Sequence, residues 1–244
     1  MRNIQLIIEY DGTNYCGWQI QKNGVTIQEE ICRAIKQVTK QEANLIGSGR
    51  TDAGVHALAQ SANFKTLSTI PTNKIPVALN SLLPKDIRIT NAIEKSMEFH
   101  SRYSALGKIY QYRIINNEYG SALDWHRCLH VRHKLNVEKM KRGAELFIGT
   151  HDFTAFSREN TSVVNKVRTI FQSQIEVKGD ELVFRIHGNG FLYNMVRVIV
   201  GTLIEVGQGR IEAESIPSII ASKDREKAGI TAPAYGLYLS EVLY

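Results

Sequence analysis

Hydrophobic and polar positions alternate with a period of two along several stretches of this chain. In the first stretch, Ile4, Leu6, Ile8 and Tyr10 mark every second position, which predicts a strand. The tetrapeptide KGDE at residues 178–181 predicts a hairpin between two further strands. Alternation of the same kind predicts strands at residues 45–46, 56–64, 87–91, 108–114, 170–177, 182–187 and 236–244.

Apolar residues recur at helical spacing in other parts of the chain. Thr26 and Glu29 form a capping-box pattern at the start of the first predicted helix, and Asn136 can cap the third. The helix after Asn136 has a predicted buried stripe of Val137, Met140, Ala144, Phe147 and Ile148. Residues 191–206 are apolar on nearly every side, which indicates a buried helix. Further helices are predicted at residues 74–83 and 216–221, and a polar-aromatic loop at residues 151–156.

The order of these elements predicts the fold class. Strands and helices follow one another in a mixed order, which is typical of the α+β class with mainly antiparallel pairing rather than of a doubly wound parallel sheet. A chain of 244 residues with 43% hydrophobic and 22% charged residues can bury a sizeable core. We place a domain boundary near residue 105, which gives an N-terminal α+β half-domain at 1–105 and a C-terminal one at 106–244.

The charge and the cysteine content limit the possible partners and the cellular compartment. The net charge of +6 favours a polyanionic partner such as nucleic acid. Cys16, Cys32 and Cys128 are odd in number and far apart, which argues against a disulfide framework and a structural zinc site and favours the reducing cytoplasm. The longest apolar run, residues 195–204, is too short to span a bilayer, and no apolar signal segment precedes the first strand. A soluble cytoplasmic protein without a membrane partner is expected.

A glycine-rich loop, GSGRTDAGVHA at residues 47–57, is the first candidate site. Its glycines make it sterically open, and it presents Arg50 and Asp52 two residues apart. Such a loop could hold a planar or phosphorylated ligand and react with it. The alternative is a surface turn in which Asp52 binds its own backbone. The loop lacks the Gly-Lys-Ser/Thr ending of a P-loop, so it does not predict nucleoside triphosphate binding.

Arg197 stands in the otherwise apolar helix at 191–206 and therefore needs an anionic partner. Removing the partner of a buried charge costs roughly 3–5 kcal/mol. Arg197 could form a structural ion pair with a glutamate, or its side chain could extend to the surface and be solvated there. A pairing with Asp52 would instead lower the pKa of that carboxyl and hold it ionised. An ionised carboxylate without a second acid at fixed spacing favours a nucleophile or base over a glycosidase pair.

Two other sets of residues could bind a ligand. Tyr110 and Tyr112 alternate on a strand with basic neighbours, an arrangement that suits stacking on an unpaired base and equally suits ordinary strand packing. His56, His151 and His187 stand at no spacing that resembles a metal site, so no metal is expected.

Several motifs then agree with one family. They are YDGTNYCGWQ (10–19), GRTDAGVHA (49–57), FHSRY (99–103), the Tyr110/Tyr112 strand, HDF (151–153), GFLYNMVR (190–197) and APAYGL (232–237). With these motifs in this order, the chain resembles the tRNA pseudouridine synthase A family from near residue 4 to its C-terminus. The RTDAGVH string is the most specific of them.

The resemblance implies an enzyme that isomerises uridine to pseudouridine at positions 38, 39 and 40 of the tRNA anticodon stem-loop. Asp52 would be the nucleophile, attacking ribose C1′ or uracil C6, and Arg197 would pair with it. Tyr110 would stack on the target base and take part in removing the C5 proton. Arg50 would help to hold the nucleotide out of the helical stack. His56 is expected among the substrate-binding residues.

The resemblance also implies an architecture and partners. Two similar half-domains, each a sheet with helices on one face, would join their mainly antiparallel sheets into one, with the active cleft between the halves. The family uses no cofactor and no metal, and it acts as a homodimer with tRNA lying across both subunits. Two alternatives stay open, namely a non-catalytic RNA-binding module on the same scaffold and a paralogous pseudouridine synthase that acts on another RNA.

Overall fold

The structure, a computed structural model, describes residues 1–157 and 163–244. These residues fall into two compact units. The first unit comprises Met1–Leu106 and Tyr238–Tyr244, and the second comprises Gly107–Leu237.

Within the described residues, ten strands and five α-helices follow one another. The strands are β1 (Arg2–Tyr10), β2 (Ile46–Gly47), β3 (His56–Thr66), β4 (Ile87–Lys95), β5 (Gly107–Ile115), β6 (Leu129–His130), β7 (Gly149–Asp152), β8 (Val167–Lys178), β9 (Glu181–Gly188) and β10 (Leu237–Leu243). The helices are α1 (Ile27–Thr39), α2 (Ile75–Asn80), α3 (Val137–Glu145), α4 (Met195–Gly207) and α5 (Ile216–Ser222). Short 3-10 helices lie at Thr72–Lys74, Thr154–Phe156, Ala213–Ser215, Arg225–Lys227 and Ala234–Gly236.

The sheet of the first unit is built around β1 and β3. β1 pairs antiparallel with both β3 and β4, β2 pairs antiparallel with β3, and β10 pairs parallel with β3. Side chains alternate between the faces of a strand, so Ile4, Leu6 and Ile8 share one face of β1. Asn3 and Gln5 project to the opposite face, and they too are buried. Both faces of this sheet are therefore covered, one by apolar and the other partly by polar groups.

The last strand lies with the first unit rather than with the residues that precede it. Tyr238 and Leu239 pair with His56 and Ala57 of β3, which draws the end of the chain to that sheet. The division into domains 1–105 and 106–244 stays a prediction; in the structure the chain leaves the first unit after Leu106 and returns to it at Tyr238.

The helices of the first unit follow the predicted pattern with one difference in length. The Thr26 hydroxyl accepts a hydrogen bond from the Glu29 N–H at 3.4 Å, so α1 begins at the predicted cap. The predicted helix 74–83 is wrong at its end, because α2 stops at Asn80. The proline at 84 disfavours helical backbone in the residue before it. The Asn80 carboxamide instead pairs with the backbone of Ile89 through two hydrogen bonds of 2.8 and 2.9 Å.

The second unit contains an antiparallel sheet in the order β5, β9, β8, β7. β6 pairs parallel with β5 at Leu129 and His130. The predicted hairpin is present: Lys178 pairs with Glu181, and Gly179 between them has φ +62°. A glycine with positive φ at the first turn position suits a tight hairpin. With antiparallel pairing dominant in both units, the predicted α+β class is confirmed.

Three predicted boundaries in the second unit are wrong. Residues 151–152, predicted as loop, belong to β7, a strand of four residues whose polar positions hide its alternation. α3 ends at Glu145, and Ile148 of its predicted stripe is 46% exposed. The i to i+3 hydrogen bonds that follow α3 turn the chain faster than an α-helix, which rotates Ile148 towards solvent. α4 begins at Met195 rather than at residue 191, because Asn194 adopts a left-handed conformation with φ +62°.

Across residues 1–157 and 163–244, no helix combines the length and the apolar character needed to cross a membrane.

Candidate active site

The glycine-rich loop at residues 47–57 connects β2 to β3, and a single glutamine fixes its first half. The Ser48 N–H donates to the Ser61 carbonyl at 2.7 Å. The Gln60 carboxamide accepts from the Ser48 hydroxyl at 2.6 Å and donates to the Gly49 carbonyl at 3.1 Å. The buried Gln60 side chain therefore replaces the strand pairing that ends where the loop leaves the sheet.

The first motif, residues 10–19, lies backbone to backbone against the glycine-rich loop. A Cβ at position 12 would lie 2.0 Å from the Val55 carbonyl oxygen, so glycine is the residue type that fits there. Gly17 has φ +89°, and a Cβ on it would lie 2.6 Å from the Thr51 carbonyl oxygen. The same carbonyl accepts a hydrogen bond from the Trp18 N–H at 3.1 Å. The glycines of the first motif thus permit a close approach that shapes the loop carrying Asp52.

A buried hydrogen bond between Tyr10 and Thr51 attaches the loop to β1. Their hydroxyls are 2.7 Å apart, and both residues are buried. Burial raises the pKa of the Tyr10 phenol above its usual range, so the group is a neutral hydrogen-bonding partner at physiological pH. Asp52, the next residue after Thr51, is half-buried, and its carbonyl accepts from the Val55 N–H at 3.2 Å. The backbone of Asp52 is therefore fixed on both sides.

His56 lies in the interior of the first unit and is only 2% exposed. Its Nδ1 accepts from the Gly12 N–H at 3.0 Å and lies 3.1 Å from an Asp11 carboxylate oxygen. Its ring stacks on that of Tyr238, with centroids 4.7 Å apart. The substrate-binding role expected for His56 stays a prediction, and this placement favours support of the loop.

Arg50 is the exposed cation of the loop. Its Nε donates to the Gln19 side-chain oxygen at 3.2 Å. Gln19 in turn donates to Gln28 of α1 at 2.9 Å, so a chain of side-chain hydrogen bonds connects Arg50 to that helix. The guanidinium is held along one edge while the residue remains accessible to a ligand.

Arg197, in the second unit, occupies the first turn of α4 and is half-buried. Its Nε donates to the Ala232 carbonyl at 2.7 Å, and its Nη1 donates to the Asn194 side-chain oxygen at 3.0 Å. The segment that carries Ala232 crosses α4 closely, since a Cβ at Gly201 would lie 1.7 Å from the Ile230 carbonyl oxygen. The APAYGL motif at 232–237 therefore helps to position the guanidinium.

The two tyrosines of β5 differ in their surroundings. Tyr112 is fully buried, and its hydroxyl donates to the Pro233 carbonyl at 2.8 Å, so the base-stacking interpretation is wrong for this residue. Tyr110 is 8% exposed, and its ring contacts that of Phe191 edge to face at 5.1 Å. The sequence pattern could not separate them, because both occupy the same face of one strand.

Arg50, Asp52 and His56 belong to the first unit, whereas Tyr110 and Arg197 belong to the second. The Asp52–Arg197 pair stays a prediction. Among the described residues, no group of three or more His, Cys, Asp or Glu side chains is placed to hold a metal ion.

The HDF motif has a structural position in the second unit. Asp152 accepts hydrogen bonds from the Thr154 N–H and hydroxyl, and it forms an ion pair of 2.8 Å with Lys223. The Lys223 ammonium and, to a smaller extent, the Thr154 hydroxyl lower the pKa of the Asp152 carboxyl. Phe153 is fully buried. This motif supports the core rather than a ligand site.

Comparison with known proteins identifies the family. A profile of the family described as tRNA pseudouridine synthase matches residues 6–104 and 144–244, which is most of the chain. The chain belongs to this family. Arg50, Asp52, His56 and Arg197 lie within the matched ranges, and Tyr110 lies between them.

Relatives in this family align along the whole chain. The protein is 56% identical to the tRNA pseudouridine synthase A of Acetivibrio thermocellus and 52% identical to that of Thermoanaerobacter sp. (strain X514), over 244 residues and 100% of both chains in each case. A chain of a Cbf5–Nop10–Gar1 complex is similar with a TM-score of 0.40 at 12% identity, over 97% of this chain and 48% of that chain.

Proposed function

We propose that this protein isomerises uridines 38, 39 and 40 in the anticodon stem-loop of tRNA to pseudouridine, with Asp52 as the nucleophile. Membership of the tRNA pseudouridine synthase family carries the enzymatic part of the proposal. The choice of the three positions rests on the motif resemblance. The choice of Asp52 rests on its place in the RTDAGVH string and on the fixed backbone around it.

The reaction is an isomerisation, so it consumes no net oxidant or reductant, and the motif resemblance implies that it uses no cofactor. The Asp52 carboxylate attacks C1′ of the ribose or C6 of the uracil, and the bond between C1′ and N1 breaks. The uracil then rotates within the site, and a bond forms between C1′ and C5. The C5 proton leaves, N1 gains a proton, and Asp52 is released. Product and substrate therefore have the same atoms.

The other site residues take roles around this step. Arg197 pairs with Asp52, which lowers the pKa of the carboxyl and keeps it ionised. Its hydrogen bonds to Ala232 and Asn194 preorganise the guanidinium for that task. Tyr110 stacks on the target base and takes part in the removal of the C5 proton. Arg50, exposed at the edge of the loop, binds the extruded nucleotide.

His56 supports the loop in this proposal instead of touching the RNA. Its contacts with Gly12, Asp11 and Tyr238 connect the first motif, the glycine-rich loop and the last strand. A 2% exposed imidazole held in this way can position the Asp52 backbone.

The proposal extends to assembly and compartment. We infer a homodimer in the cytoplasm, with tRNA lying across both subunits. The net charge of +6 supports an extended contact with a polyanion, and three free thiols suit a reducing compartment.

Release of tritium from tRNA labelled at uracil C5 tests the proposal. We expect the wild type to release one tritium for each pseudouridine formed, and Asp52→Asn to release it at least about 10⁴-fold more slowly, as for loss of a nucleophile. Asp180→Asn is the matched control, because this hairpin-turn residue keeps an oxygen for its Asn117 partner.

Three outcomes would contradict parts of the proposal. If Asp52→Asn released tritium as fast as the wild type, Asp52 would not be the nucleophile. Binding of tRNA by the wild type without any release would indicate a non-catalytic module. Pseudouridines that depend on the gene but map to another RNA, in a comparison of total RNA with and without it, would indicate a paralogous activity.

A further inference from the structure

The FHSRY motif, which the proposed reaction does not use, forms an exposed ridge on the first unit. Tyr103 is 77% exposed, and the His100 ring stacks on it with centroids 4.3 Å apart. The Arg102 guanidinium lies 5.7 Å from the centre of the Tyr103 ring, and the Lys95 ammonium lies 5.4 Å from that of Phe99. We call Lys95, Phe99, His100, Arg102 and Tyr103 the aromatic–cation ridge.

A buried polar network anchors the base of the aromatic–cation ridge. The Asn63 side-chain oxygen accepts from the Ser101 N–H at 2.8 Å, and the Asn3 carboxamide donates to the Phe99 carbonyl at 2.9 Å. The Tyr244 hydroxyl lies 2.9 Å from the Ser101 carbonyl oxygen. Asn3, Asn63 and Ser101 are all buried, so the ridge stands on a fixed backbone rather than on a mobile loop.

The orientation of the His100 ring is also fixed. Its Nδ1 accepts from the N–H groups of Arg102 at 3.1 Å and Tyr103 at 3.2 Å. The His100 N–H donates to the Ser104 hydroxyl at 3.1 Å. One face of the Tyr103 ring therefore rests on a held imidazole. A preorganised platform of this kind loses little side-chain freedom when a ligand binds.

The charges around the aromatic–cation ridge favour an anion. Arg102 and Lys95 stand beside the two aromatic rings. Glu98 is the acid within the segment, and hydrogen bonds from its own backbone and from the Ser96 side chain, followed by the charge of Lys65, lower the pKa of its carboxyl. Glu94, the acid immediately before Lys95 in the chain, forms an ion pair with Arg2 at 2.8 Å. Aromatic rings interleaved with cations are the arrangement by which proteins hold unpaired nucleotides.

We propose that the aromatic–cation ridge binds an unpaired nucleotide of the substrate tRNA, with Tyr103 stacking on its base and Arg102 binding an adjacent phosphate. This inference rests on the proposed function, which makes RNA the substrate. Stacking tolerates any base, and a guanidinium fork matches a phosphate. Asn63, which anchors the ridge, lies six residues along β3 from Ala57, or about 20 Å at 3.3 Å per residue. Ala57 pairs with Tyr10, whose hydroxyl contacts that of Thr51 beside Asp52. We therefore assign the ridge a nucleotide other than the target uridine.

Exchange of Tyr103 tests the stacking. We expect Tyr103→Leu to raise the Kd for tRNA by about 5- to 150-fold, whereas Tyr103→Phe, which keeps the ring, stays close to wild type. The loss should appear in Kd and KM far more than in kcat, with an unchanged Tm because the side chain is exposed. Tyr119→Leu is the control, since Tyr119 is 87% exposed in the second unit beside an acidic residue.

Exchange of Arg102 tests the phosphate contact. Arg102→Gln should reduce the slope of log Kd against log salt concentration by about 0.7 to 0.9, the value of one phosphate, and Arg102→Lys should keep it. Wild-type tRNA binding by Tyr103→Leu, an equal loss in Tyr119→Leu, or an unchanged slope in Arg102→Gln would overturn the inference.

The two proposals fail in different measurements. If the wild type forms pseudouridine while Tyr103→Leu binds tRNA as the wild type does, the ridge proposal is wrong and the proposed function stands. If the wild type binds tRNA through Tyr103 but releases no tritium, the ridge proposal stands and the catalytic function is wrong.

Discussion

Gly17 is the position where one added carbon atom would press most directly on the backbone around Asp52. It has φ +89°, and a Cβ on it would lie 2.6 Å from the Thr51 carbonyl oxygen. We expect Gly17→Ala to lower the free energy of unfolding by about 1–3 kcal/mol or more. We also expect it to reduce kcat for tritium release, because the backbone that carries Asp52 must move.

A second glycine supplies the control for this experiment. Gly209 also has a positive φ, +74°, but a Cβ there would meet nothing within 4 Å. Gly209→Ala should therefore cost only backbone strain, about 1 kcal/mol, and leave kcat unchanged. Urea unfolding and tritium release measure both variants. Equal effects of the two substitutions would show that the contact with Thr51 does not matter.

Single residues also show where sequence reasoning stops. The period-two pattern predicted Tyr10 correctly as an inward position of β1. It could not reveal that the Tyr10 hydroxyl meets Thr51, because that partner is 41 residues away and the pattern records only polarity. Tyr110 and Tyr112 are a similar case, since identical residues on one strand face differ only in what the fold places beside them.

Between elements, the Asp152–Lys223 ion pair connects β7 to the end of α5. The Lys223 ammonium lowers the pKa of Asp152 below its ordinary value of 3.8. A carboxyl whose pKa is lower in the folded state contributes stability above its unfolded pKa and loses it as the pH falls through the folded pKa. Because the pair is partly exposed, we expect its contribution to be about 0.2–1 kcal/mol at pH 7.

The matching experiment compares the wild type with Asp152→Asn, which keeps an oxygen for Thr154 but loses the charge. The difference in free energy of unfolding, measured with urea, should be largest near pH 7. It should vanish once acid has protonated Asp152 in the wild type. Glu176→Gln, which loses two longer exposed pairs, of 3.8 Å with Lys178 and 3.9 Å with Arg185, controls for removal of one surface charge. A difference that persists in acid would contradict the ion-pair explanation.

The sequence predicted long elements better than short or irregular ones. β1, β3, β5 and the hairpin of β8 and β9 have clear alternation, and the structure contains all of them. β7 was missed because a polar strand of four residues resembles a loop. The start of α4 was misplaced because the backbone of Asn194, not the apolar pattern around it, decides where the helix begins.

At the scale of the whole molecule, the chain returns to its first unit for its last seven residues. Tyr238 stacks on His56, and the Tyr244 hydroxyl lies 2.7 Å from that of Ser61 and 2.9 Å from the Ser101 carbonyl oxygen. The end of the chain thus supports both the histidine of the glycine-rich loop and the base of the aromatic–cation ridge. No local pattern could predict this, because pairing partners in a sheet are set by the tertiary structure.

This arrangement predicts that residues 1–106 need β10 to fold stably. A fragment of residues 1–106 alone would lack the Tyr244 hydroxyl and leave buried polar groups without it, at about 1–3 kcal/mol for each group. The Leu106 N–H donates to the Leu243 carbonyl, so a linker from 106 to 237 must run back along β10, about 20 Å. A flexible Gly/Ser linker of about 16 residues has a root-mean-square span of roughly 20–24 Å.

We therefore expect residues 1–106 joined by such a linker to residues 237–244 to unfold cooperatively in urea, at a higher midpoint than residues 1–106 alone. The linked fragment with Tyr244→Phe should be intermediate, because it keeps the strand pairing and the Tyr238 ring but loses the hydroxyl. A fragment of residues 1–106 as stable as the linked one would show that β10 is a passive addition to the sheet. It would also remove the reason for treating the two ends of the chain as one unit.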